Sequence, residues 1–256
     1  MSKKQVLMVM PVLKGGGAER VASILTNEFY KNGCSCEFLL TSSQRGEVIN
    51  RDLNENVPIL ILQEFFSKSF TDVLFKILRV ITSLLCKPIE KLGREVPAYI
   101  SYLSFIANYH REVKACKKVL KERPEAIVIS FLQPSIPIVL LASKGLPNKI
   151  IISERCDSNR LMKHRYGYNF IKKYYERADK AVFQTEDAKN AYPENIAQKG
   201  IVIFNPVKEN LPECYSGERN KNITTFCRIS YQKNLPLLVT AFSKVHNTYP
   251  DYRLRI

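Results

Sequence analysis

Three consecutive glycines, Gly15, Gly16 and Gly17, stand between an apolar run and a helix-like segment. Backbone without a Cβ can approach a ligand closely, and free N–H groups at a helix start attract anions. The specific nucleotide motifs are absent: Arg20 stands where a dinucleotide-binding turn has its third Gly, and no Gly-Lys-Ser/Thr completes a Walker loop. A flexible turn and an anion site both remain open readings. Position favours the site, because ligands of open α/β sheets bind at the carboxyl edge of the strands. Near the other end of the chain, Arg228 and Lys233 lie in the stretch Arg228-Ile-Ser-Tyr-Gln-Lys-Asn234, between a strand-like run and a helix-like one. Two cations beside helix N–H groups suit a diphosphate; a solvated basic loop is the alternative. Other chemistries have little support. Cys34 and Cys36 have no partner pair, and His110, His164 and His246 are far apart, so no metal site and no metal cofactor are expected. No Gly-x-Ser-x-Gly elbow is present.

The elements that must position these groups alternate. Gln5–Met10 reads as a strand, Ala18–Tyr30 as a helix ended by Gly33, and Cys36–Thr41 as the next strand, which together make a βαβ unit. The pattern continues with a short strand over Val57–Leu62 and a helix over Phe70–Cys86. In that helix Asp72, Lys76, Arg79 and Ser83 form one stripe, and Val73, Leu74, Ile77, Ile81 and Leu84 the other. A long helix over Tyr99–Arg123 follows, then a buried-type strand over Ala126–Phe131, a helix over Ser135–Lys144 and a strand over Lys149–Ser153. Tyr166–Ala178 reads as a helix, Ala181–Gln184 as a strand, Glu186–Tyr192 as a short helix and Ile201–Phe204 as a strand. Asn205–Asn222 is polar and reads as a linker. Beyond it a strand (Ile223–Cys227), a helix (Leu235–His246) and a strand start (Tyr252–Ile256) are too few for a core of their own.

The chain has 256 residues, 39 Lys plus Arg against 24 Asp plus Glu, and a net charge of +15. With 45% hydrophobic and 25% charged residues it is neither disordered nor collagen-like. Seven scattered cysteines argue for a reducing compartment. No secretory signal or membrane-spanning stretch is read, so the expected location is cytoplasmic, with peripheral contact at the inner membrane face. The basic excess admits three readings. Lys76, Arg79, Lys87, Lys91 and Arg94, then Arg111, Lys114, Lys117, Lys118, Lys121 and Arg123, could rest on an anionic membrane surface or be solvated outer faces of sheet-covering helices. Arg165, Lys172, Lys173, Arg177 and Lys180, interleaved with Tyr166, Tyr168, Tyr174 and Tyr175, could make a stacking platform for single-stranded nucleic acid, the least favoured of the three.

Five stretches occur in order: Gly15-Gly-Gly-Ala-Glu-Arg20, Ser153-Glu-Arg155, Ala178-Asp-Lys-Ala-Val-Phe-Gln-Thr185, Ile203-Phe-Asn-Pro-Val207, and Arg228-Ile-Ser-Tyr-Gln-Lys-Asn-Leu-Pro-Leu-Leu238 with Ala241-Phe242. The ordered set resembles retaining glycosyltransferases of family 4, of the kind that builds capsular or other surface polysaccharides. The resemblance implies the α/β GT-B architecture of two doubly wound domains. Here these are an acceptor-side domain over residues 1–205, a linker over 206–222, and an incomplete start of the donor domain over 223–256. It also implies that Gly16, Gly17, Arg228 and Lys233 hold the donor phosphates and that Glu154 and Arg155 lie at the cleft edge near the acceptor. The partners so implied are a nucleotide-sugar, which is a substrate rather than a cofactor, and a saccharide or lipid-linked acceptor.

Two departures accompany the resemblance. Cys227 stands where the family has Gly. The family's paired-Glu spacing (E-x7-E) is matched by Glu47/Glu55 and Glu186/Glu194, both in the first domain and both read as coincidences. The expectation is that the motif follows Ile256 and that the chain as given transfers sugar weakly or not at all. The alternative function is a non-catalytic basic protein that binds anionic membrane or single-stranded nucleic acid.

Overall fold

The structure is a computed structural model that describes residues 3–44, 47–48, 52–67, 71–156, 158–206 and 213–256. The chain divides into two compact units, Met1–Val207 and Lys208–Ile256.

The first unit is built on seven parallel strands: β1 (Gln5–Met10), β2 (Ser35–Leu40), β3 (Ile59–Ile61), β4 (Ile127–Phe131), β5 (Lys149–Ser153), β6 (Lys180–Phe183) and β7 (Gly200–Val202). Their order is β3-β2-β1-β4-β5-β6-β7. It is a Rossmann-like sheet, and the reversal of strand order lies between β1 and β4. Continuous apolar runs make this sheet because both of its faces are covered. Along β1 successive side chains alternate: Leu7 and Val9 enter one core layer, Val6, Met8 and Met10 the other. The first layer is closed by α3 (Ala98–Lys121), α4 (Ser135–Ala142) and α6 (Tyr168–Tyr174), through residues such as Phe105, Val139 and Phe170. The second is closed by Val21 and Ala22 of α1 (Gly17–Lys31).

Some boundaries differ from the sequence reading. Phe70, its proposed first residue of the second helix, lies outside the described residues. The helix itself, α2 (Asp72–Lys91), runs past Cys86 and through Pro88. Pro88 sits in the final turn, where it takes the N–H bond to the Leu84 carbonyl out of the helix. The segment read as a helix over Tyr166–Ala178 is α6 followed by a 3-10 turn at Tyr175–Arg177. It starts late because Gly167 is its N-cap, at a non-helical ψ of −133°, packed against the carbonyls of Leu161 and Met162 with no room for a Cβ. Three short helices, α5 (Ser158–Met162), α7 (Glu186–Asn190) and α8 (Glu194–Ala197), complete the unit. Of these, α5 and α8 carry too few periodic residues to read in advance.

The orientation of α2 reverses the simple expectation for a sheet-covering helix. Its packed face consists of buried Thr82 and Cys86 with half-buried Phe75, Leu78 and Ile89. Its apolar stripe is exposed: Val73, Leu74, Ile77, Val80, Ile81, Leu84 and Leu85 are each 48–67% accessible. Specific polar contacts hold this pose. His110 Nε2 lies 3.0 Å from Asp72 Oδ1 while the imidazole stacks on Phe75 at 3.9 Å. At the far end Arg165 donates from Nε to Glu90 Oε1 (2.9 Å) and from Nη2 to Oε2 (2.7 Å). The Arg165 guanidinium holds the Glu90 carboxyl below the usual carboxylate range. A depressed folded pKa contributes stability that is complete above the unfolded value, near pH 4.3, and lost as pH falls through the lower folded value. Glu90→Gln is therefore expected to flatten the acid limb of a melting-temperature profile below about pH 5. A limb as steep as wild type would show that the pair adds nothing.

In the second unit β8 (Asn222–Thr224) pairs in parallel with β9 (Arg253–Arg255), and α9 (Leu235–Thr248) connects them. The strand read over Ile223–Cys227 is thus shorter, and no residue of α9 is buried. Lys221 and Asp251 form an ion pair at 2.5 Å beside the strand ends.

Candidate functional site at the carboxyl edge of the sheet

The loop after β1 carries the three glycines, each for a different reason. Gly15 has φ +87°, a left-handed conformation that L side chains rarely adopt. Gly16 caps α1, and a Cβ there would stand 2.9 Å from Glu19 Oε1. Gly17 opens the helix with nothing within 4 Å of where its Cβ would be. Glu19 Oε2 accepts from the backbone N–H of Gly16 at 3.0 Å and also from that of Lys14. The anion attracted by this helix start is, in this structure, the chain's own carboxylate. Of the two glycines assigned to donor phosphates, Gly17 stands open while the N–H of Gly16 is already engaged.

The neighbouring loops meet this one at the reversal point. Thr41 N donates to Met10 O and Ser42 N to Pro11 O, both at 2.9 Å, which continues the β1–β2 pairing past the strands. Thr41 Oγ1 lies 2.6 Å from Ser135 Oγ at the start of α4. After β4 the chain passes through Leu132, whose φ of +61° is strained for a branched side chain, and a cis Gln133–Pro134 bond. Gln133 Nε2 donates to the hydroxyl of fully buried Tyr175 at 2.7 Å.

Glu154 and Arg155 follow directly on β5. Glu154 is 6% exposed. Its Oε1 accepts from the backbone N–H of Arg155 (3.1 Å) and of Cys156 (3.4 Å), while its Oε2 is buried without a hydrogen-bond partner. Burial pushes the Glu154 carboxyl up, against the two backbone N–H groups that favour the anion. Arg155 turns back across the edge: its guanidinium lies over the Phe131 ring at 5.1 Å, Nε donates to Ser153 Oγ at 3.0 Å and Nη1 to Asn205 Oδ1 at 2.5 Å. Two of the five sequence stretches are thereby joined in one contact.

Orphaned hydroxyls extend the pattern. Among the described residues seven buried side-chain atoms lack a hydrogen-bond partner; His110 Nδ1, Asn148 Oδ1 and Asn195 Oδ1 lie elsewhere, and the other four are Ser43 Oγ after β2, Ser130 Oγ in β4, Glu154 Oε2 after β5 and Tyr192 OH after β6. Buried polar atoms are nearly always paired, so four exceptions along one sheet edge mark a place prepared for hydrogen bonds. Sequence reading missed Ser43, Ser130, Gln133, Tyr175 and Tyr192, because single hydroxyls and amides have no spacing to betray them. Glu19, three residues after the capping glycine, did have one: it stands at the position from which a capping-box side chain reaches back.

Arg228 and Lys233 lie in the second unit, both exposed. They flank a 3-10 turn at Tyr231–Lys233 that leads through Asn234 (φ +46°) into α9. Neither side chain has a hydrogen bond or ion pair to the described residues. Cys227 is half-buried beside them. Of the two matches to the paired-Glu spacing, Glu186 and Glu194 begin the separate helices α7 and α8, and Glu47 forms an ion pair with Lys14 at 3.1 Å.

Most of the tyrosines read as a stacking platform for nucleic acid are engaged in packing. Tyr175 is fully buried, Tyr166 packs edge-on to Phe105 at 5.2 Å and Tyr174 stacks on Tyr102 at 4.9 Å. Arg165 is held by Glu90, and Arg177 by Asp179 and the carbonyls of Leu146 and Asn148. Of the four interleaved tyrosines Tyr168 is exposed, as are Lys172, Lys173 and Lys180, while the other three pack in or against the core. Of the Cys-x-Cys pair, Cys36 is buried and its thiol is pushed up to about 11, first by burial, whereas Cys34 is half-buried. Among the described residues no three His, Cys, Asp or Glu side chains gather as a metal would need.

No protein-family model and no curated protein matches this chain in sequence. Solved structures do match in fold. TarM of S. aureus is 11% identical, aligned over 99% of this chain and 71% of its own, with a TM-score of 0.61. HepE of Anabaena, solved in complex with UDP, is 13% identical over 94% of this chain and 57% of its own, at 0.56. A glycosyltransferase of Rickettsia africae is 15% identical over 96% and 59%, at 0.55. The chain spans about half the length of other matched proteins. These matches define the class of fold: a Rossmann-like α/β chain that corresponds to part of the GT-B glycosyltransferases.

Proposed function

We propose that this chain serves sugar transfer from a nucleotide-sugar to a saccharide or lipid-linked acceptor in surface-polysaccharide synthesis, with retention at the anomeric carbon. The observation that carries the reading is the carboxyl edge of the first unit: an open glycine, a buried carboxyl and three orphaned hydroxyls gathered on neighbouring strands, on the fold of glycosyltransferases. Sugar hydroxyls are donors and acceptors at once, and such an edge offers them both kinds of partner. The presence of UDP in the HepE structure supports a nucleotide donor.

In this reading Arg228 and Lys233 hold the donor diphosphate and neutralise the charge that grows on the leaving nucleotide, an electrostatic role for a pair of cations. Glu154 and Arg155 orient the acceptor. Gly17 lets the donor approach the start of α1, and Gly16 takes part once Glu19 swings aside.

The test is calorimetric titration of the full chain with a panel of uridine, adenosine and guanosine diphosphate sugars, followed by incubation with lipid-linked acceptors. Saturable binding of one nucleotide-sugar with little or no turnover is the expected result, and any product formed should keep the anomeric configuration. Failure to bind any member of the panel would remove the reading.

A further inference from the structure

We propose that the outward face of α2 docks on an anionic lipid bilayer, with Leu74, Ile77, Ile81 and Leu84 entering the headgroup boundary and Lys76 and Lys87 set against lipid phosphates. This inference rests on α2 alone and stands whether or not the chain transfers sugar.

At 3.6 residues per turn the exposed apolar side chains of α2 fall within an arc of roughly 140°. The packed face, with Thr82 and Cys86, lies on the other side. Seven apolar side chains about half or more exposed, side by side on one helix, form a patch of the kind that marks an interaction surface. Leu92 (70% exposed), just past the helix, and Tyr99 (62%), in the first turn of α3, add to the apolar exposure at this end.

Charge selects the occupant. Lys76 and Lys87 are exposed along one border of the arc, Lys91 lies within it at the C-terminal end, Arg79 stands well round toward the packed face, and Arg94 and Glu95, both exposed, follow the helix with opposite charges. The only acids of α2 are held elsewhere, Asp72 by His110 and Glu90 by Arg165, so the border has no negative charge of its own to offer. A second copy of the chain pairing through this face would therefore set cation against cation. A bilayer with anionic lipid satisfies both features at once: apolar side chains reach the acyl boundary while lysine heads stay at the phosphates. Among the described residues no helix is long and apolar enough to cross a membrane, so the helix lies along the surface.

Co-sedimentation of the full chain with phosphatidylcholine vesicles, with and without phosphatidylglycerol, tests this. Binding is expected only where phosphatidylglycerol is present, and it should weaken in high salt. Leu74→Ser, Ile81→Ser and Leu84→Ser together should lower partitioning by more than about tenfold, with circular dichroism and melting unchanged because these side chains are already in solvent. Lys76→Gln and Lys87→Gln should lower it by roughly fivefold per charge and supply the decision if the serine variant misfolds. Equal binding to neutral vesicles, binding to neither, or full binding by both variants would overturn the proposal. So would a wild-type dimer that fails to bind vesicles and is dissolved by the serine changes, which would assign the face to a second copy.

Discussion

Alanine at both Arg228 and Lys233 should weaken binding of the nucleotide-sugar by about two to four orders of magnitude, since each charge-assisted hydrogen bond contributes roughly 1.5–3 kcal/mol. Both side chains are exposed and without partners in the described residues, so the melting temperature should not move. That combination separates a ligand contact from a structural one. Lys244→Ala, on exposed α9, removes one positive charge from the same unit and is the control for either single alanine variant; it should bind as wild type does. Either single variant compared with this control by calorimetry decides the matter. Equal affinities would show that net charge, rather than a placed pair, attracts the diphosphate.

The largest effect on stability is expected at Phe105. It is fully buried, and its ring centroid lies 4.7 Å from that of Tyr109, 5.2 Å from Tyr166 and 5.5 Å from Phe170. It therefore ties α3 to α6 and to the loop that carries Arg165. Phe105→Ala leaves a cavity among rings too large to close it, at about 3–5 kcal/mol. Against a total stability of about 5–15 kcal/mol that is a substantial fraction. Urea unfolding followed by circular dichroism should show the midpoint fall, with Phe105→Leu much closer to wild type. A loss under about 1 kcal/mol would mean that the aromatic cluster refills the space.

The strands were the most legible part of the chain. β1, β4 and β5 are continuous apolar runs because both faces of the central sheet are covered, and a run of that kind bounded by turn residues has few other uses. Helix α2 shows where periodicity stops informing. The spacing of Val73, Leu74, Ile77 and Ile81 declares an apolar face but not what that face meets. The packed side is made of Thr82, Cys86 and half-buried neighbours, which sequence alone would not choose as an interior surface. The site divides in the same way. The glycines, Glu154 and Arg155 stand out as ordered short stretches, whereas the bond from Arg155 to Asn205 spans 50 positions and becomes visible only when the strands are laid side by side. Tyr175 and Tyr192 read as aromatic content; their hydroxyls acquire meaning only from depth.

Glu19 gives the glycine bend a gatekeeper. Its carboxylate already satisfies backbone N–H groups there, so an incoming phosphate must first evict a resident negative charge. On the proposed function, a donor held elsewhere through its base and sugar would supply the energy for that exchange, so the bend is expected to favour whole donors over dissolved phosphate.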